Sequence, residues 1–240
     1  APIAAAQLAE PRIRYVWQDF EESGLYELTE KDEELAEKID ELPYRACLAL
    51  TIAAAEWIVY RYDGLADIGM HLDFIEGAWA AVVDDRYLRP WRPDEDECSG
   101  PVKGPLACAL LIVQDAIESM VHEDDGGVPI VYMSRLAARV LPDKKAFLAW
   151  RNDAIARLMP RAPRDDDDTL GDVLPREFFD PAEVIASDAD VELLVARFLA
   201  TLDPDRNPSL QSVEDMEELH FDGPHFTFDL ARDRSERADG

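Results

Sequence analysis

The sequence predicts a mainly α-helical fold: one compact multi-helix domain with an acidic C-terminal extension docked on it. Three observations carry this prediction. Residues 43–62 form a long apolar stretch, uninterrupted from Ala46 to Ala55 except for Thr51. Elsewhere apolar residues recur at spacings of three and four, the period of a helix with one buried face. Beyond residue 180 there is pattern enough for only one substantial helix. One helix cannot enclose a core, so that element must pack on what precedes it.

The 43–62 stretch is the organising element. Pro43 suits the first turn of a helix, and Asp63-Gly64 suits its end, where glycine takes the left-handed conformation. About twenty residues make roughly 30 Å of helix. Apolar side chains lie on nearly every side of it, which predicts a helix wrapped by others. Glu56 is the exception within it.

In chain order, residues 1–28 read as an N-terminal arm, with Tyr15 and Trp17 placed to pin it. Thr29 followed by Asp32 is a variant of the capping box and opens a helix to about Leu42. After the central helix, Ile68, Leu72, Ile75, Trp79 and Val82 mark a third helix over 67–83. Residues 86–105 hold four prolines and two glycines and read as a loop pinned by Tyr87 and Trp91. Leu106–His122 gives a fourth helix, stopped by Glu123-Asp124-Asp125-Gly126-Gly127. Val128–Tyr132 reads as an extended piece or a helix entry. Met133–Leu141 and Lys144–Met159 read as a hairpin broken at Pro142. Ala46–Leu50 resembles Ala107–Leu111, an echo that suits stacked helical hairpins. The helical core therefore spans 29–160.

Residues 161–180 contain Asp165, Asp166, Asp167 and Asp168 in a row and read as an open acidic linker. In the segment 181–240, Pro181–Ile185 reads as a turn and Ser187 caps a helix over 188–202. A short helix follows at 213–219, then alternating aromatic and polar residues at 220–228. The charged last ten residues read as a mobile end.

The charge is the strongest functional signal. Lys and Arg number 24 against 52 Asp and Glu, a net of −28. Residues 161–240 hold 8 basic and 22 acidic side chains, a net of −14. The first 160 residues hold 16 and 30, the same net over twice the length. Such a field repels nucleic acid and anionic lipid and attracts basic proteins. Phosphate binding needs basic patches, and here the cations are scattered singly among acids.

No catalytic motif stands out: there is no Gly-x-Ser-x-Gly, no His-Glu-x-x-His and no paired Cys-x-x-Cys. The loop Ser99–Pro105 lacks the Gly-Lys-Ser/Thr of a phosphate loop. Asp115, Glu118 and His122 share one helical face and with Glu56 would form a carboxylate site if the fold brought them together. Otherwise Glu56 is a buried ion-pair member, and the other three are a solvated face. Cys47 and Cys108 sit in apolar runs as small hydrophobes. With Cys98 they make an odd count, which fits a reducing cytoplasm better than a disulfide framework. The opening Ala1–Ala6 has neither the basic region nor the apolar core of a signal peptide, and no membrane span is expected.

The reading is a cytoplasmic binding protein, leaning away from an enzyme and with no cofactor or metal. Its expected partner is a basic protein, with an immunity or antitoxin protein facing a toxin domain as the favoured form. The candidate acidic interface comprises Asp94, Glu95, Asp96, Glu97, Glu123, Asp124, Asp125 and Asp165–Asp168. The alternatives are a helical enzyme using the Glu56 group and a structural adaptor.

Overall fold

A computed structural model describes residues 12–17, 24–93, 98–221 and 223–238. Among these the regular structure is helical: α1 (Glu30–Ile39), α2 (Tyr44–Arg61), α3 (Gly69–Ala81), α4 (Lys103–His122), α5 (Val128–Val140), α6 (Lys144–Arg161), α7 (Asp188–Leu199), α8 (Val213–Glu218) and α9 (Leu230–Ala238). The described residues form no strand, only isolated bridges such as Leu88 with Leu210.

Helix α2 is the hub. Of its 18 residues, 16 are buried, and it touches α3, α4, α5 and α6. Its small residues, Ala46, Ala49, Ala53, Ala54 and Ala55, are all at most 3 % exposed. They let neighbouring helices come close on every side, which a run of leucines would prevent. The hairpins α2–α3 and α4–α5 pack on each other through α2 with α4 and α5 and through α3 with α4. Helix α4 is long and apolar enough to cross a bilayer, yet most of it is buried among the other helices.

The caps follow the sequence. Asp32 accepts the Thr29 backbone N–H at 2.9 Å, and Ser187 and Asp190 exchange hydrogen bonds at the start of α7. Helix α1 ends at Ile39, short of the expected Leu42, because a residue preceding proline disfavours the helical region. Pro43 itself is extended (ψ 155°) and caps α2 from outside. Val128 begins α5 with Pro129 in its first turn, resolving the Val128–Tyr132 stretch as helix. Helix α4 starts at Lys103. Gly104 lies under Trp17, where a Cβ would fall 2.2 Å from the indole nitrogen.

Two expectations about the C-terminal third need correction. Residues 161–180 are not an open linker. Their backbone forms a strap across the head of α2: Thr169 and Leu170 carbonyls accept the Tyr44 and Arg45 N–H groups, each at 3.1 Å. These are two of the donors a helix start leaves without an intrahelical partner. The strap then buries Val173, Leu174 and Phe179 and makes a 3₁₀ turn at Arg176–Phe179; the turn expected from Pro181 follows it, closed by the Glu183 N–H donating to the Asp180 carbonyl at 3.1 Å.

Nor is the described part of the charged end, up to Ala238, a loose tail. Helix α9 buries Leu230 and docks through ions. Asp233 meets Arg45 at 2.9 Å, and Arg237 and Arg234 meet Asp172 at 2.7 and 2.5 Å. The signal missed was Leu230 followed by Arg234 and Arg237, a helical spacing that faces the acids of the strap.

The 86–93 segment is pinned as expected. Tyr87 is 1 % exposed and stacks on Phe226 at 4.8 Å, and Trp91 lies against Phe74. Asn207, also buried, donates to the Asp73 carbonyl and to Glu76, each at 2.9 Å, tying the 203–210 turn to α3.

Candidate functional site

Three segments far apart in sequence meet at the head of α2. They are the end of α1 (Asp40, Glu41), the turn after α4 (Glu123–Gly127) and the start of the strap (Arg164–Thr169). Tyr44 is the pin. Its hydroxyl donates to the Glu123 carbonyl and accepts from Arg164 at 3.1 Å. The Arg164 guanidinium lies over the Tyr44 ring at 4.6 Å. The Arg164 backbone N–H donates to the Glu41 carbonyl at 3.1 Å. The Thr169 hydroxyl donates to the Glu123 carboxylate. Asp40 accepts the Gly127 N–H at 2.7 Å, and Gly127 must be glycine because a Cβ there would fall 2.3 Å from the Ala36 carbonyl oxygen.

The result is an acidic pole. Asp124, Asp125, Asp166 and Asp167 are exposed and make no ion pair among the described residues. Among the described residues Arg164 is the one cation in this network, and its bonds to the Asp40 and Glu41 carbonyls and the Tyr44 hydroxyl hold it inside the pole. The field is felt by Asp40, whose carboxyl is raised above the usual range. Burial is the main cause, and Asp125 and Asp124 push the same way, while the Gly127 N–H and Arg164 pull it down. The turn itself is tight: Glu123 and Asp125 both hold positive φ (55° and 44°), a region that disfavours side chains with a Cβ.

The predicted interface residues therefore divide. Glu123, Asp124, Asp125, Asp165, Asp166 and Asp167 gather at the pole. Asp165 uses one carboxylate oxygen to accept the Asp167 N–H at 3.0 Å. Asp168 is spent internally, ion-paired to Arg237 of α9. Asp94–Glu97 lie outside the described residues. The pole also recruits the Asp40 carboxylate and the backbone carbonyl of Glu41.

Glu56 is elsewhere. It is 2 % exposed, lies 2.8 Å from the Arg176 guanidinium and accepts the Trp79 indole N–H at 2.8 Å. The expected ion pair is present, and its partner, which the sequence left open among the arginines, comes from the strap, 120 residues on. Glu118 and His122 line a surface groove with Leu88, Ile117 and Leu219, of which Glu56 forms no wall. Among the described residues no three His, Cys, Asp or Glu side chains are grouped to hold a metal ion. The three cysteines are unbridged, with Cys47 and Cys108 buried and their thiols pushed up by burial. The aromatics are tied down within the fold: the Trp150 indole donates to the Phe179 carbonyl at 3.1 Å, and the Tyr15 and Tyr62 hydroxyls are bonded together.

No family model matches the sequence, and neither a curated protein nor a solved structure matches it.

Proposed function

We propose that this chain is a non-catalytic acidic protein that binds and neutralises a basic protein partner. The favoured form is a cytoplasmic immunity or antitoxin protein that blocks a toxin domain of the nuclease type. The observation that carries the reading is the pole. Two acidic runs some forty residues apart, 123–125 and 165–167, come together on one face, and none of their side chains forms an ion pair among the described residues. An enzyme that acts on nucleic acid presents a basic groove for phosphates, and a rigid cluster of carboxylates can occupy such a groove. Charge complementarity of this kind raises association rates and suppresses wrong partners.

The test is a capture from source-cell lysate with two baits, at low and high salt, read by mass spectrometry. One bait is the native chain. The other carries Asp124→Asn, Asp125→Asn, Asp166→Asn and Asp167→Asn. The reading expects one basic protein held at stoichiometry by the native chain, loosened by salt and lost from the variant. Equal retention by both baits, or retention of nothing, would end it.

A further inference from the structure

The face next to the pole is apolar. A groove of about 330 Å³ runs between the second half of α4, the 88–90 segment and the residue after α8. Leu88, Ile117, Val121 and Leu219 form its walls, and Asp85 and Glu118 stand on its rim. Val121 and Leu219 are 48 % and 46 % exposed, among the most exposed large apolar side chains in the described chain. The groove ends beside the pole, since His122 on its wall is followed directly by Glu123. Its cation, Arg86, is neutralised by Asp84 through bonds of 2.8 and 2.6 Å, so the rim keeps a net negative charge.

We infer that groove and pole form one continuous docking surface for a basic segment of the partner with apolar anchors. The anchors fill the groove, and the flanking Lys or Arg side chains lie on the rim and the pole. This rests on the proposed binding role and specifies its partner. Two other occupants fit less well. A second copy of this chain would bring −28 against −28. The chain's own basic helix, α9, is already seated on the strap through Asp172. Exposed apolar side chains beside Asp85, Glu118 and the pole match a segment that carries both complements, as amphipathic helices do when they enter grooves.

The test uses the full chain and two labelled 15-residue peptides of equal charge, followed by fluorescence anisotropy at low salt. One peptide alternates Leu pairs with Lys pairs; the other has Ala in place of Leu. The Leu peptide is expected to bind at least about tenfold tighter, given the contribution of each buried methylene. In the variant with Val121→Ser and Leu219→Ser that ratio falls to about one. In the variant with the four pole Asp→Asn changes both peptides weaken together and the ratio persists. Equal affinities for the native chain, or a ratio that survives the two serine changes, would overturn the groove. If pole neutralisation leaves both affinities unchanged while the ratio depends on Val121 and Leu219, the pole reading fails and the groove stands as an apolar site alone. That result overturns the continuous surface. Both serine positions are solvent-facing, so an unchanged thermal melt separates loss of binding from loss of fold.

Discussion

Replacing Glu56 by alanine should be among the most damaging single changes in this fold. Its carboxylate is 2 % exposed and serves two groups at once, the Arg176 guanidinium and the Trp79 indole N–H, each at 2.8 Å. Breaking a buried ion pair from one side costs about 3–5 kcal/mol, because the partner charge is left without compensation. Here the Arg176 side chain is 34 % exposed and water recovers part of that loss. Trp79, at 3 % exposure, recovers nothing, and an orphaned buried donor costs about 1–3 kcal/mol. Together these give roughly 3 kcal/mol for Glu56→Ala. Glu56→Gln keeps an acceptor for Trp79 and should lose about half as much. The double change Glu56→Leu with Arg176→Met should lie within about 1 kcal/mol of the native chain, since apolar replacement of a whole buried pair is often neutral. Urea unfolding measures all three. With m near 3 kcal/mol/M, Glu56→Ala lowers the midpoint by about 1 M. A midpoint unchanged in Glu56→Ala, or a double variant as weak as the single, would refute the reasoning.

Three further predictions follow from the strap and the pole. Gly171→Ala should cost at least about 2 kcal/mol in urea unfolding, combining a left-handed backbone with overpacking; its φ is +73° and a Cβ would sit 2.4 Å from that of Pro43. Acidification should free α9 before the core opens. The Asp172 carboxyl is held below its ordinary 3.8, chiefly by the Arg234 hydrogen bond and further by Arg237. A depressed carboxylate contributes fully above that ordinary value and loses its contribution as pH falls through the folded one. Amide protection in Arg234–Arg237, measured against the intrinsic exchange rate at each pH, should therefore fall on acidification below pH 4 while α2 stays protected. Asp125→Gly should leave the thermal midpoint unchanged or raise it, because it relieves a positive φ of 44° and removes a like charge beside Asp124. Its affinity for a basic partner should fall. A clear drop in midpoint would mean that the Asp125 carboxylate holds the turn.

The helices were legible because each signal was local. Thr29 with Asp32 and Ser187 with Asp190 act within one turn, and the apolar stripe from Ile68 to Val82 reports a face that is in fact buried. The 161–180 stretch was illegible for the opposite reason. Four adjacent aspartates favour an open chain when read alone. What holds them is the pair of N–H groups at the start of α2 and the arginines of α9, more than a hundred and about seventy residues away respectively. The same applies to Glu56, whose charge demanded a partner that sequence could not choose among many arginines. Of the pole, sequence supplied the two acidic runs but not their meeting, which depends on Tyr44 bonding to Glu123 and Arg164 together.

The most direct test of the acidic pole is a hydrogen-exchange footprint of the native chain in complex with the basic protein it captures. The account predicts new protection at 40–44, 121–127 and 164–169, with α7 unchanged. Protection confined to α7 or to the 12–17 arm, with the pole exchanging as in the free chain, would contradict it.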